Sequence, residues 1–213
     1  MFVKWRMTAS PYTISPDATV PQAIEMMQTK SVRKLPVISD GRLVGVVSQS
    51  DIDRASPSMA TSFSSGEIAY LFSKLKVSKV MSRNPITIGP DAMLEEAAIV
   101  MRDSKIEMLP VMEGNKLVGV ITESDLLDAF VELHGAREDC TRLVIEADDQ
   151  PGVLARMASL TAEFDTNITH LAVYRSGMDR SLIVLGLNSA NTEQLEAKLA
   201  EEGFTLRYRL NNS

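Results

Sequence analysis

Laid against itself with an offset of 74 positions, the chain matches residues 3–55 to residues 77–129 without a gap, and 20 of the 53 aligned pairs are identical. The identities fall in blocks. P-Y-T-I-S-P-D-A (11–18) meets P-I-T-I-G-P-D-A (85–92), and R-K-L-P-V-I-S-D-G-R-L-V-G-V-V-S-Q-S-D (33–51) meets E-M-L-P-V-M-E-G-N-K-L-V-G-V-I-T-E-S-D (107–125). A repeat at this density decides the architecture before any helix or strand is assigned. A unit of about 55 residues has too little interior to close a comfortable core alone. The repeat therefore predicts one pseudo-symmetric domain, two copies packed sheet to sheet, rather than two independent beads.

Each copy reads as a small α/β unit. After an extended P-x-T-I, the segment P-D-A opens a helix with Val20, Ala23, Ile24 and Met27 at helical spacing, matched by Leu94, Ala97, Ala98 and Met101. A short strand (35–38, 109–112), a turn at Gly41 or Gly114, and a β-branched strand (43–47, 117–121) follow, and S-x-x-D or T-x-x-D opens a second helix. Between the copies, S-P-S gives way to a helical stretch. Ser64 to Glu67 has capping-box spacing, and Ile68, Leu71, Phe72 and Leu75 form one stripe, which reads as a helix tying the copies together. These patterns bound a first copy at 1–56, a helical linker at 57–76, a second copy at 77–134 and a C-terminal domain at 140–213. In that last region 141–147 alternates like a strand and 151–164 carries the helical stripe Val153, Leu154, Met157 and Leu160. Strands at 168–175 and 181–187 turn at Gly177, a helix at 192–202 ends at Gly203, and 204–210 alternates again. The order βαββαβ is the split-βαβ, ferredoxin-like pattern. The expected fold class is thus α/β (α+β).

Composition narrows the function classes. Hydrophobic residues make up 45% and charged residues 23%, the balance of a globular chain with a core. With 22 basic against 28 acidic residues the net charge is −6, which argues against coating nucleic acid or an anionic membrane. No apolar run approaches the roughly 18 residues of a membrane span, and M-F-V-K-W-R-M-T has no signal-peptide apolar region, so the expected location is the cytoplasm. Cys140 is the single cysteine, and His134 and His170 are the two histidines, so no disulfide or metal centre is expected. No nucleophile motif or G-x-x-x-x-G-K-[ST] loop is present, and catalysis is not expected.

The informative element is G-V-V-S-Q-S-D (45–51) and its twin G-V-I-T-E-S-D (119–125). A glycine in a strand admits close approach of another backbone or of a ligand. Ser48 or Thr122 stands at a helix start beside unpaired N–H groups, with Asp51 or Asp125 three residues on in the first turn. That carboxylate can be a satisfied cap or can accept two hydrogen bonds from a vicinal diol such as a ribose. Two copies at equal register favour the second reading.

With h-P-V before it, the pattern G-h-h-[ST]-x-x-D resembles the CBS domain family, whose tandem pairs are called Bateman modules; the resemblance covers residues 3 to about 133. It implies clefts for adenosine compounds: AMP, ADP, ATP, NAD or S-adenosylmethionine. By the same resemblance Asp51 and Asp125, beside Ser48 and Thr122, would hold ribose hydroxyls. Thr13, Ile14, Leu35 and Pro36, with Thr87, Ile88, Leu109 and Pro110, would line the base pockets, and a cleft can draw its base contacts and its aspartate from opposite copies. The copies differ where a phosphate would lie. Arg33 and Lys34 could each make charge-assisted bonds of about 1.5–3 kcal/mol, whereas the second copy offers Glu107 and Met108, and Glu107 would repel an anion. One cleft is therefore expected to prefer a phosphorylated ligand.

In the C-terminal domain, D-D-Q-P-G-V-L-A (148–155) resembles the ACT domain family through Asp149, Pro151, Gly152 and Leu154, with Asn167 and Ile168 at a second recurring position. The resemblance implies either amino-acid binding, by these residues and Val153, or a pairing role without ligand. The whole order resembles the acetoin utilization protein AcuB family, supported by R-A-S-P-S-M (54–59) and D-L-L-D-A-F-V-E-L-H-G-A (125–136). Together these resemblances imply a ligand-sensing homodimer that acts on a separate, unidentified protein.

Overall fold

Thr19 fixes where the first long helix begins. Its hydroxyl accepts from the Gln22 amide at 3.5 Å while the Gln22 side-chain oxygen accepts from the Thr19 amide at 2.8 Å, so two N–H groups that a helix start leaves open are satisfied reciprocally. The helix that follows, α1 (Val20–Thr29), buries Val20, Ala23 and Met27, the stripe its spacing predicts. P-D-A itself forms the turn before the helix. The computed structural model describes residues 1–55, 65–175 and 179–212.

Around α1 the first copy runs from a 3-10 turn (Val3–Trp5) through β1 (Thr8–Ala9), then β2 (Lys34–Ser39), β3 (Arg42–Ser48) and α2 (Gln49–Ala55). After α3 (Ser65–Lys74), the second copy repeats the series as α4 (Val77–Val80), β4 (Ser82–Arg83), α5 (Leu94–Ser104), β5 (Met108–Glu113), β6 (Lys116–Thr122) and α6 (Glu123–Leu133). The repeat extends to backbone detail. β2 pairs with β3 from Lys34↔Ser48, and β5 pairs with β6 from Met108↔Thr122, each with an irregularity at the equivalent step. Left-handed residues recur in register, Ser10 with Asn84 and Ser31 with Lys105. Because the side chains differ while the conformation persists, the fold imposes it.

The copies form one unit, as the repeat predicts, and they are joined further by exchanging their first strands. β1 of the first copy pairs with β6 of the second (Thr8↔Val120, Ala9↔Gly119), and β4 of the second pairs with β3 of the first (Gly45↔Arg83, Val46↔Ser82). Flanking amides follow the same rule: Val3 N–H donates to Ala92 O at 2.9 Å, and Val77 N–H to Ala18 O at 2.8 Å. The glycines of the repeated motif are explained by this exchange. A Cβ on Gly45 would stand 2.8 Å from Met81 Sδ and 2.8 Å from Ser82 O, and one on Gly119 would stand 2.6 Å from Met7 Sδ. What approaches these glycines is the exchanged strand, not a ligand. The core around α1 accordingly draws Val77 from the second copy, with Val80 and Met81 packed against it.

Of the linker stripe, Phe72 and Leu75 pack against that core, as expected of a tying helix, whereas Leu71 is exposed. Ser64, the S-P-S-M segment and the Ile68 side chain lie outside the described residues.

The chain divides into two units, Met1–Leu126 and Leu127–Ser213. The second is built from β7 (Cys140–Asp148), α7 (Val153–Glu163), β8 (Ile168–Arg175), β9 (Arg180–Leu187), α8 (Glu193–Glu201) and β10 (Thr205–Asn212). Its sheet has the order β10-β7-β9-β8, every neighbouring pair antiparallel. Strand alternation sends Leu143, Ile145, Ala147, Ile183, Leu185 and Leu187 to one face, where Met157 and Leu160 of α7 and Leu195 and Leu199 of α8 close the core. The element order is the βαββαβ expected; the turn at Gly177 lies outside the described residues. Among the described residues no helix is long and apolar enough to cross a membrane.

Candidate functional site

Two helix starts carry the repeated carboxylates. In the first copy, Asp51 Oδ2 accepts from the Ser48 amide at 2.9 Å and the Ser48 hydroxyl at 2.5 Å, while the Asp51 amide donates back to Ser48 Oγ at 3.1 Å. In the second, Asp125 Oδ2 accepts from the Thr122 amide and hydroxyl, both at 2.7 Å. Each pair is a capping box with aspartate in the place of the usual glutamate. The cap explains one oxygen of each carboxylate. The other differs: Asp51 Oδ1 is paired with Arg54 Nη2 at 2.5 Å, whereas Asp125 Oδ1 makes no hydrogen bond or ion pair among the described residues. The position equivalent to Arg54 is Asp128, which cannot occupy a carboxylate.

Asp125 faces a cavity of about 690 Å³ inside the first unit, a size suited to a small ligand. Its walls come from both copies: Thr8 to Tyr12 and Ser31 to Lys34 from the first, and Glu107, Met108, Val120 and Thr122 to Asp125 from the second, with Pro36 completing the floor. The strand exchange produces this arrangement, because β1 lies along β6 and carries Ser10, Pro11 and Tyr12 to the aspartate of the other copy. Ser10 and Ser31 line the cavity in left-handed conformations, φ 50° and 53°, strained for residues other than glycine.

Of the residues the sequence points to, the cavity brings together Arg33, Lys34, Pro36, Met108, Thr122 and Asp125. Leu35 and Leu109 are fully buried, and Ile14 is 5% exposed within the core, so these three serve packing rather than a base pocket. Ile14 and Ile88 instead bridge to Val37 and Val111 in parallel. Thr13, Ile88, Thr87, Pro110, Ser48 and Asp51 do not line this cavity.

The charged residues of the two copies meet instead of standing apart. Arg33, Lys34 and Glu107 line one cavity, and Lys34 Nζ is ion-paired with Glu107. The hydrogen bond from Lys34, its charge and the more distant Arg33 hold the Glu107 carboxyl below its ordinary pKa against an opposing desolvation effect. Glu107 thus neutralises a cation of the same cavity instead of marking a separate anion-repelling one. Sequence reading missed Tyr12, which is 51% exposed at the cavity with Lys30 Nζ 5.0 Å from its ring centroid. The signal was its replacement by Ile86 inside an otherwise matching block.

In the C-terminal unit, Pro151, Gly152 and Val153 line a second cavity of about 420 Å³ with Arg156 and Arg180. Both cations are spoken for, Arg156 by Glu202 and Arg180 by Glu146 and Asp148. Gly152 has φ 94°, the left-handed turn that lets the chain enter α7. Asp149, Leu154, Asn167 and Ile168 stand outside this cavity. Asp149 pairs with Arg175, whereas Asn167 is tied to Asn188 beyond the far end of α7. Within one copy of the chain this cavity thus gathers Pro151, Gly152 and Val153 alone of those residues, the resemblance implying a site between two copies.

The CBS domain model matches residues 3–58 and 77–132, together more than half of the chain. The chain belongs to the CBS domain family. A CBS domain-containing protein of Dictyostelium discoideum is 33% identical over 135 residues, 62% of this chain and 93% of that protein. The inosine-5'-monophosphate dehydrogenase of Korarchaeum cryptofilum is 29% identical over 77% of this chain, which spans only 32% of that enzyme. Among solved structures, an acetoin utilization protein (AcuB) from Vibrio cholerae superposes with a TM-score of 0.52 at 30% identity, covering 62% of this chain and 92% of that one. CBSX2 in complex with AMP superposes with a TM-score of 0.51 at 29% identity, covering 62% and 97%. The CBS match ends at residue 132, so the βαββαβ unit stands outside it.

Proposed function

We propose that this CBS protein is a non-catalytic sensor of adenosine compounds, that it binds them in the cavity shared by its two copies, and that it passes their presence to a separate protein. The observation that carries the reading is Asp125. One oxygen is fixed by Thr122, and the other is presented to a cavity of about 690 Å³ without a protein partner among the described residues. A carboxylate so held can accept both hydroxyls of a ribose, and charge-assisted bonds are the strong ones. Tyr12 supplies a π-face for the base, and Arg33 a cation for a phosphate. The AMP held by CBSX2 supports the same ligand class.

The C-terminal unit would act as an ACT-like pairing module. β8 is an edge strand with Leu171, Val173 and Tyr174 each 45–49% exposed, an edge suited to a second copy in a cytoplasmic homodimer. A signal requires the ligand to bind one arrangement of the molecule better than another.

A thermal-unfolding screen tests this reading, with AMP, ADP, ATP, NAD and S-adenosylmethionine set beside a panel of amino acids. A ligand at 100 times its Kd should add about 2.7 kcal/mol and raise the midpoint by several degrees. The D51A/D125A variant should lose that shift. A shift with amino acids alone would move sensing to the cavity at Pro151–Val153, and silence from every compound would leave a constitutive scaffold.

A further inference from the structure

The two motif aspartates are chemically identical and differently engaged, and the residue responsible is Arg54. Its guanidinium holds Asp51 Oδ1 at 2.5 Å and donates through Nε to the Ser50 carbonyl at 3.3 Å, while its side chain remains 76% exposed. With Ser48 on Oδ2, each oxygen of Asp51 already accepts from a neighbouring group. A diol that binds Asp51 through Oδ1 therefore shares that oxygen with Arg54 or displaces it. An exposed ion pair is worth little, typically under about 1 kcal/mol, so the displacement is several-fold rather than prohibitive. What becomes of the displaced cation then depends on the ligand. A neutral nucleoside leaves the guanidinium with no anion to pair, whereas a nucleotide brings a phosphate that a guanidinium can grip with two parallel bonds.

We infer that Arg54 is a specificity-determining residue that screens the Asp51 carboxylate, discriminating against uncharged nucleosides there and favouring phosphorylated ones. Asp125, with Asp128 in the equivalent place, has no such screen among the described residues. This inference rests on the reading of the aspartates as ribose-binding groups, and it adds that the two copies differ in ligand preference: a phosphate favours release of Asp51 from Arg54 and has no such part to play at Asp125.

Isothermal titration of adenosine and of AMP into the D125A variant, with and without R54A, isolates the Asp51 position. In that background R54A should tighten adenosine several-fold and weaken AMP roughly tenfold. R54K keeps a charge without the planar fork and should fall between for AMP. Opposite signs for the two ligands are the signature, because loss of fold would weaken both. Changes of the same sign, no change, or binding at Asp51 with neither variant would overturn the inference while wild-type binding leaves the sensor reading intact. Absence of binding to the wild-type chain would overturn that reading and the inference with it.

Discussion

The two copies of the repeat share their hairpin registers, their left-handed residues and their capping boxes, yet they do not offer equivalent carboxylates. In the first, Arg54 and Ser48 together use both oxygens of Asp51; in the second, Thr122 uses one oxygen of Asp125 and the other faces the cavity. The same holds across the base-facing block, where Tyr12 answers to Ile86. Identities between the copies sit where the fold is made: Gly45 and Gly119, Met7 and Met81, Leu35 and Leu109. The differences that change chemistry, Arg54 against Asp128 and Tyr12 against Ile86, sit at exposed positions the fold tolerates. Duplication preserved the frame and left chemistry to diverge at its rim.

The largest expected effect lies in the core that the two copies share. Leu35 and Leu109 are both fully buried, so L35A and L109A should each cost about 2–5 kcal/mol. Because exchanged strands couple the copies, both should lower the same urea transition; two separate transitions, each sensitive to one variant, would break the account of the exchange. Next come the glycines. G45A places a methyl 2.8 Å from a backbone oxygen, whereas the nearest neighbour at Gly119 is a flexible methionine end at 2.6 Å with backbone at 3.1 Å. Overpacking of about 1–3 kcal/mol is expected, and chemical denaturation should find G45A the more damaging.

At the cavity, Y12A should weaken AMP through lost stacking, worth about 1–3 kcal/mol per base, while I86A should leave the Asp125 cavity nearly unaffected. Equal losses measured by titration would remove Tyr12 as the distinguishing base platform. The smallest effect concerns acid. Glu107 is held below its ordinary pKa by Lys34, so its contribution to stability is present above the unfolded-state value and is lost as pH falls through the depressed folded value. The pair is 65% exposed on the Glu107 side, and screening limits it to under about 1 kcal/mol. E107Q should therefore flatten the acid limb of the stability profile slightly and leave stability near pH 7 marginally lower. A steeper acid limb would contradict the ion pair.

The repeat, the βαββαβ order and the paired caps of Asp51 and Asp125 were legible in the sequence because each is written in spacing or local composition. The strand exchange was not. β1 and β4 are two residues long and acquire their identity from partners in the other copy, a relation without periodicity. Leu35 was misplaced because h-P-V marks the strand but not which side chain points inward. The engagement of Asp51 depends on where one exposed arginine swings, and the separation of Asp149 from Asn167 depends on the length of α7. Such facts belong to three dimensions.

The copies are unequal at their aspartates, and AMP titrated in parallel into D51A and D125A reads that inequality out. D125A should lose the tighter binding event, by tenfold or more given about 1.5–3 kcal/mol for bonds to a charged group, while D51A retains it. Equal losses in the two variants, or loss in D51A alone, would contradict it.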